Sequence, residues 1–199
     1  MCSVAGIVAF IFGLFFGVLL TVTKKDGIME CTPIYTIIDK AIDVIRSIPF
    51  IILIFILIPL SRAIVGTSIG VKGAYVALIC GTVPFFARQI ESAIAEVDKG
   101  LIEASQAMGF SPLEIIKDVY LKESIPSIAR VSMITLVNLI GLTAMSGAVG
   151  AGGLGDFAIR YGYQLQYRDM IWVTVILNTF PCKYRTDCRK YNNQKKLTH

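Results

Sequence analysis

Apolar residues run in long, nearly unbroken stretches, and short polar segments between them hold almost every charge. A helix needs about 20 mostly apolar residues to cross a bilayer core. Residues 2–23 form such a run with no charge in it. Residues 47–61 (SIPFIILIFILIPLS) form a shorter one, which reaches spanning length if helix continues back through 41–46. Residues 73–87 (GAYVALICGTVPFFA) supply a third, and 131–155, long and rich in small residues, a fourth. A fifth begins at Met170 (MIWVTVILNTF) and stops being apolar at Phe180, early for a full crossing. The pattern predicts an all-α protein: a polytopic transmembrane helical bundle of about five spans. The first run has no basic residue before it and a longer apolar core than a signal peptide's, so it reads as a span.

Composition agrees. Of 199 residues 55% are hydrophobic and 17% charged, with a mean hydropathy of +0.69. Soluble domains carry about 25% charged residues. The length suits one domain, expected over 1–177, followed by an atypical tail at 178–199. The net charge of +5 would fit a nucleic-acid partner, but its placement follows topology instead. Lys24, Lys25, Lys40 and Arg46 follow the first run; Arg62 and Lys72 the second; Arg88, Lys99, Lys117, Lys122 and Arg130 the third; Arg160 and Arg168 the fourth; the tail from Lys183 holds six. Basic residues concentrate in cytoplasmic loops. The dense segments are therefore cytoplasmic, and the N-terminus is outside.

The one sizeable polar insert, 88–124, carries helix punctuation. Asp98 is an N-cap for a helix over 99–108, and Gly109 suits the left-handed position after its end. Ser111-Pro112-Leu113-Glu114 reads as a capping box with proline at the first helical position, opening a second helix to about Leu121. Ser124 and Pro126 mark the start of the next span. Ala104, Ser105 and Ala107 give the first helix a small-residue side, while Leu101, Ile102, Met108 and Phe110 supply apolar anchors. Two readings stand: a helix docked in a partner's groove, or a helix packed on its own bundle.

Glu103-Ala104-Ser105, three residues, Gly109, nine residues and Val119-x-Leu121 resemble, at matched spacing, the EAA loop of ABC-importer permeases. Ser105 stands where that family has a second alanine, and Lys122 where it has a final proline. RSIPFIIL at 46–53, VGTSIG at 65–70, LIEAS at 101–105 and GAVGAGGLG at 147–155 are similar to the methionine-uptake branch of that family, and the likeness runs over about 12–176. The resemblance implies a multi-pass permease in the bacterial cytoplasmic membrane, working by alternating access. It also implies a homodimer of permease subunits, two ATPase subunits docked on the loops, and an external substrate-binding protein. Related permeases for a phosphonate or a betaine, or a non-functional truncated permease, are the alternatives. ATP and magnesium would be bound by the ATPase; no cofactor is expected in this chain, which has no GxxxxGK[ST] loop.

The resemblance makes Glu103, Ala104, Ser105, Gly109 and Leu121 the ATPase-coupling residues. Glu103 would pair with a basic group on the ATPase, hold the loop to the spans, or simply face solvent. Residues 141–155 hold six glycines: 141, 147, 150, 152, 153 and 155. Small pairs at 144/148, 146/150 and 147/151 permit close helix crossing, and Gly152-Gly153 breaks the helix. Asn138, Met145, Ser146, Gly147 and Gly150 are candidates for the permeation path or dimer interface; ordinary helix packing is the competing reading. Thr143 shares that assignment.

Other chemistries fit poorly. No histidine or lysine lies within a span to activate Ser146, as serine hydrolysis requires. No metal site is expected, because the only histidine is His199 and the five cysteines form no close pair. No charged ring or filter repeat suggests a passive channel. From Asn178 the chain turns polar, basic and cysteine-bearing, as a frameshift or an early ending would make it. A basic tail on anionic membrane lipid is the other reading.

Overall fold

The computed structural model describes residues 2–176, apart from Asp26, Ser68, Ile69, Ala148 and Arg168. Helix α1 (Cys2–Thr23) is followed by α2 (Thr32–Ser47), α3 (Phe50–Ile56), α4 (Ile58–Val65) and α5 (Gly70–Ile94). A polar insert then forms α6 (Lys99–Ala107) and α7 (Pro112–Glu114), which widens into a π-helical stretch, Ile115–Leu121. Helix α8 (Ile125–Gly147) leads to α9 (Leu154–Phe157) and a second π-helical stretch, Ala158–Gln164. Residues 169–176 are helical and open the fifth expected span; the rest of it and the expected tail at 178–199 lie outside the described residues.

Among the described residues, α1, α5 and α8 are long and apolar enough to cross a membrane. They pack through small residues. Ala5, Ala9, Gly13 and Gly17 recur every fourth position and form the buried stripe of α1. A Cβ on Gly13 would sit 2.6 Å from the Phe86 ring, and one on Gly17 would sit 2.6 Å from the Ile90 side chain and 2.8 Å from the Ala87 carbonyl. Small side chains let helix backbones approach where no water is present to drive association. Ala5 packs with Ala74 and Leu78 at one end, and Leu14 and Val18 with Ile90 and Ile94 towards the other, so α1 and α5 run parallel. Leu139 joins the first end and Val131 the second, so α8 runs antiparallel to both. Both basic-rich segments, after α1 and between α5 and α8, thus emerge at one end, as the charge pattern requires.

Three expectations need correcting. The second span does not continue back through 41–46. Ile48 and Pro49 are extended (ψ 124° and 134°), separating α2 from α3, because proline disfavours helix at the residue before it. The Leu57 N–H donates to the Leu53 carbonyl and the Ser61 N–H to the Leu57 carbonyl, so α3 and α4 run on as one kinked rod. The third span, expected to stop at Ala87, continues to Ile94, because ion pairs satisfy Arg88 and Glu91. The fourth starts at Ile125, where Ser124 and Pro126 mark it, but the apolar run expected to reach 155 stops at Gly147. The 146/150 and 147/151 pairs therefore do not share one helix.

Candidate functional site

The polar insert is built by local hydrogen bonds. Asp98 caps α6, its Oδ1 accepting from the Gly100 N–H at 2.8 Å. At the other end the Phe110 N–H donates to the Ser105 carbonyl (3.2 Å) and the Gly109 N–H to the Gln106 carbonyl (3.0 Å). This paired closure is the Schellman arrangement. It needs a left-handed residue, and Gly109 has φ +83° with open space where a Cβ would go. Ser111 and Glu114 then form the capping box: the Ser111 N–H donates to Glu114 Oε2 at 2.7 Å, and the Glu114 N–H to Ser111 Oγ at 3.4 Å. The Ser111 backbone and hydroxyl hold the Glu114 carboxyl below its ordinary value.

One side of the insert is anchored. Ile115 and Tyr120 are buried against Phe86, Ile90 and Ile94 of α5 and Val131 of α8, with Ile28 and Ile102 packed on the same cluster. The other side is open and apolar. Leu101, Met108, Phe110 and Leu113 are exposed, Met108 by 69% and Leu113 by 75%. Four large apolar side chains on a loop at the basic end form a surface suited to a partner.

The five predicted coupling residues divide. Glu103, Ala104 and Gly109 are exposed, and among the described residues no cation pairs with Glu103. Ser105 is buried, its hydroxyl donating to the Leu101 carbonyl at 2.7 Å, so α6 does not present one uniform small-residue side. Ile102 also turns inward, onto the α5 cluster, rather than serving as an outward anchor. Leu121 is half-buried. Where the resembled motif has proline, Lys122 stays helical (φ −66°, ψ −47°) and pairs with Asp118 at 2.6 Å. That pair holds the Asp118 carboxyl below its ordinary value.

The glycine-rich region lies at the opposite end. Asn138, Gly141 and Met145 fall on the open face of α8, Met145 half exposed. Ser146 and Gly147 face inward, the Ser146 hydroxyl donating to the Thr143 carbonyl at 2.8 Å. Gly150, Gly152 and Gly153 have φ between +76° and +85°, turning the chain so that α9 returns onto α8. There a Cβ on Gly155 would meet the Ala144 carbonyl at 1.9 Å, and one on Gly147 the Asp156 nitrogen at 2.3 Å. The structure thus places Asn138 and Met145 on an open face, Ser146 and Gly147 in packing, and Gly150 in a turn. None of these five lines the groove of about 1040 Å³ between α1 and α8, but Thr143, the other candidate, does, beside Phe10, Phe86, Thr135, Leu139 and Gly153.

Two features escaped the sequence reading. The stripe of Ala5, Ala9, Gly13 and Gly17 contains a GxxxG spacing, a readable signal. The other is ionic: Arg88 Nη2 lies 2.7 Å from both Asp39 and Asp43 of α2, and Nη1 lies 2.8 Å from Glu91. No local pattern links residues so far apart in sequence.

Comparison with known proteins places this architecture. Residues 9–180 match the family described as binding-protein-dependent transport system inner membrane component. The chain is 46% identical over 177 residues to the probable D-methionine transport system permease protein MetI of Vibrio cholerae, covering 89% of this chain and 79% of that one. It is 47% identical over 128 residues to the D-methionine transport system permease protein MetI of Salmonella typhimurium, spanning 64% of this chain but only 59% of the relative. Among solved structures, the MetNI methionine ABC transporter in inward-facing conformations superposes with a TM-score of 0.87 at 42% identity, over 94% of this chain and 88% of that one. The relatives are transport components, and the fold is the all-helical one that the sequence predicts. With three apolar membrane-length helices among its described residues and its anchored loop, the chain belongs to the family of inner-membrane components of binding-protein-dependent transport systems.

Proposed function

We propose that this chain is the membrane subunit of an ATP-driven importer that carries methionine across the cytoplasmic membrane. The observation that carries the reading is the outward apolar platform of Leu101, Met108, Phe110 and Leu113 on a loop anchored to α5. Such a platform suits a soluble subunit seated at the basic end. Methionine comes from the relatives, whose names specify D-methionine transport and a methionine ABC transporter.

On this reading two copies of the chain enclose the path, each seating one ATPase subunit, while an external binding protein delivers the amino acid. ATP binding draws the two ATPase subunits together, the α6–α7 loops move with them, and the path opens outward; hydrolysis resets it inward. Magnesium and ATP act on the ATPase, and this chain contributes mechanical linkage. Gly109 holds the reversal after α6, and Glu103, exposed beside the platform, meets a basic group of the ATPase. Asn138 and Met145, on the open face of α8, face the path or the second copy.

The test is ATP-dependent uptake of labelled methionine by vesicles holding this chain and its ATPase, with unlabelled methionine, a phosphonate or a betaine as competitor. Competition by methionine alone is expected. Competition by another solute instead would replace the substrate assignment. Gly109→Val is expected to preserve hydrolysis and reduce uptake; unchanged uptake would remove Gly109 from coupling.

A further inference from the structure

Helix α5 is gripped on two sides within about three turns. Phe86, Ile90 and Ile94 hold the coupling loop through Ile115 and Tyr120. Ala87 packs on Ile42 of α2, the Phe85 ring lies 6.0 Å from the Arg46 guanidinium, and Arg88 holds Asp39 and Asp43. Helix α2 in turn connects to the α3–α4 rod through only the extended pair Ile48-Pro49. We infer that Arg88 is a positioning residue that makes α2 move with the coupling loop, so that a displacement at α6–α7 reaches the Ile48-Pro49 end of the α3–α4 rod through α5 and α2, in addition to the direct contact of the rod with α5 at Ser61 and Gly73. The inference rests on the importer reading for its functional part, but not for the mechanical tie itself.

The physical case is the geometry of the cluster. One guanidinium meets three carboxylates at 2.7–2.8 Å, two on α2 and one a turn further along α5. Arginine's planar fork can hold several carboxylate oxygens in fixed directions, which a point charge on a flexible stem cannot. Across the helices, Arg88 and Asp39 are the shielded pair, their side chains 22% and 26% exposed, whereas Asp43, 58% exposed, is the more screened partner. The cluster leaves more negative than positive charge, so removing Arg88 leaves Asp39, Asp43 and Glu91 repelling one another. Helix α2 would then be pushed away from α5 rather than merely released. The apolar contact of α2 is modest: Ile42 is buried, and Tyr35 and Ile38 are partly buried beside Leu20 and Ala87. The coupling loop is held by a shared apolar cluster, whereas α2 combines a smaller apolar contact with an ionic one centred on a single side chain, Arg88.

The experiment places spin labels at exposed Lys40 on α2 and exposed Gln106 on α6, in the full chain in lipid nanodiscs. The parent is expected to give one narrow distance distribution, Arg88→Met a broad one, and Arg88→Lys a partial recovery. An unchanged narrow distribution in Arg88→Met overturns the tie, whether or not the chain transports anything. Asp43→Asn, at a more exposed position, serves as the milder variant should Arg88→Met fail to fold, and is expected to broaden the distribution to a lesser degree. In vesicles with the ATPase, uptake per ATP hydrolysed is expected to fall about fivefold or more in Arg88→Met, the low end of ordinary coupling between sites. A broadened distribution with an unchanged ratio would overturn the role in transmission. Failure of the parent to take up methionine would instead count against the importer reading, leaving the distance result to decide the tie.

Discussion

The coupling loop and the outer glycine turn both depend on glycine, for different reasons. In the loop, Gly109 supplies a left-handed angle in open space, and the hydrogen bonds around it come from neighbours in sequence. In the outer turn, Gly147 and Gly155 have ordinary angles but no room: backbone of α8 and α9 lies where a side chain would stand. A glycine used for its angle can be read from local punctuation. A glycine used for contact depends on what the fold brings against it.

Substitutions sharpen that contrast, from the largest effect to the smallest. Gly155→Val places a side chain into the Ala144 carbonyl, which cannot move away without unwinding α8. A loss of about 3 kcal/mol is expected, the upper end of overpacking, measured as a lower thermal unfolding midpoint in detergent. Gly150→Ala lies in the same turn but has a positive φ and open surroundings, so it should cost only about 1–2 kcal/mol, the price of a left-handed angle. Equal losses for the two would break the distinction between angle and contact. Ser111→Ala, which removes the cap of α7, should cost about 1 kcal/mol and show as faster amide exchange over 111–121.

The smallest effect concerns pH. Glu114 has a lowered value in the folded loop and an ordinary one in the unfolded chain. Its contribution is therefore present above the ordinary carboxylate range and lost as pH falls through the lowered value. Amide protection over 111–121, taken relative to the intrinsic exchange rate at each pH, should fall on acidification in the parent. In Glu114→Gln, whose amide can still cap but does not titrate, protection should show no such transition.

Much of this was legible in the chain. The N-cap at Asp98, the reversal at Gly109 and the Ser111–Glu114 box follow from residues within four positions of one another, and all three form as read. The apolar runs located α1, α5 and α8, but their ends were misjudged wherever partners decided them. Arg88 and Glu91 looked like the end of a span until α2 supplied Asp39 and Asp43. The run through Gly155 looked like one helix because its residues stay small and apolar, yet three positive-φ glycines turn it back at Gly147. Ser105 and Ile102 were open to either reading, facing a partner or the bundle, and their burial depends on how α6 lies over the π-helical stretch.

The central claim is that the exposed apolar side of the α6–α7 loop seats an ATPase. Its most direct test is copurification of that ATPase with the tagged chain, comparing the parent with Phe110→Ser/Leu113→Ser. Both side chains are exposed, so the double variant is expected to fold and insert as the parent does. The account predicts that the parent retains the ATPase and the double variant loses it. Equal retention by both, with both chains intact in the membrane, would contradict it.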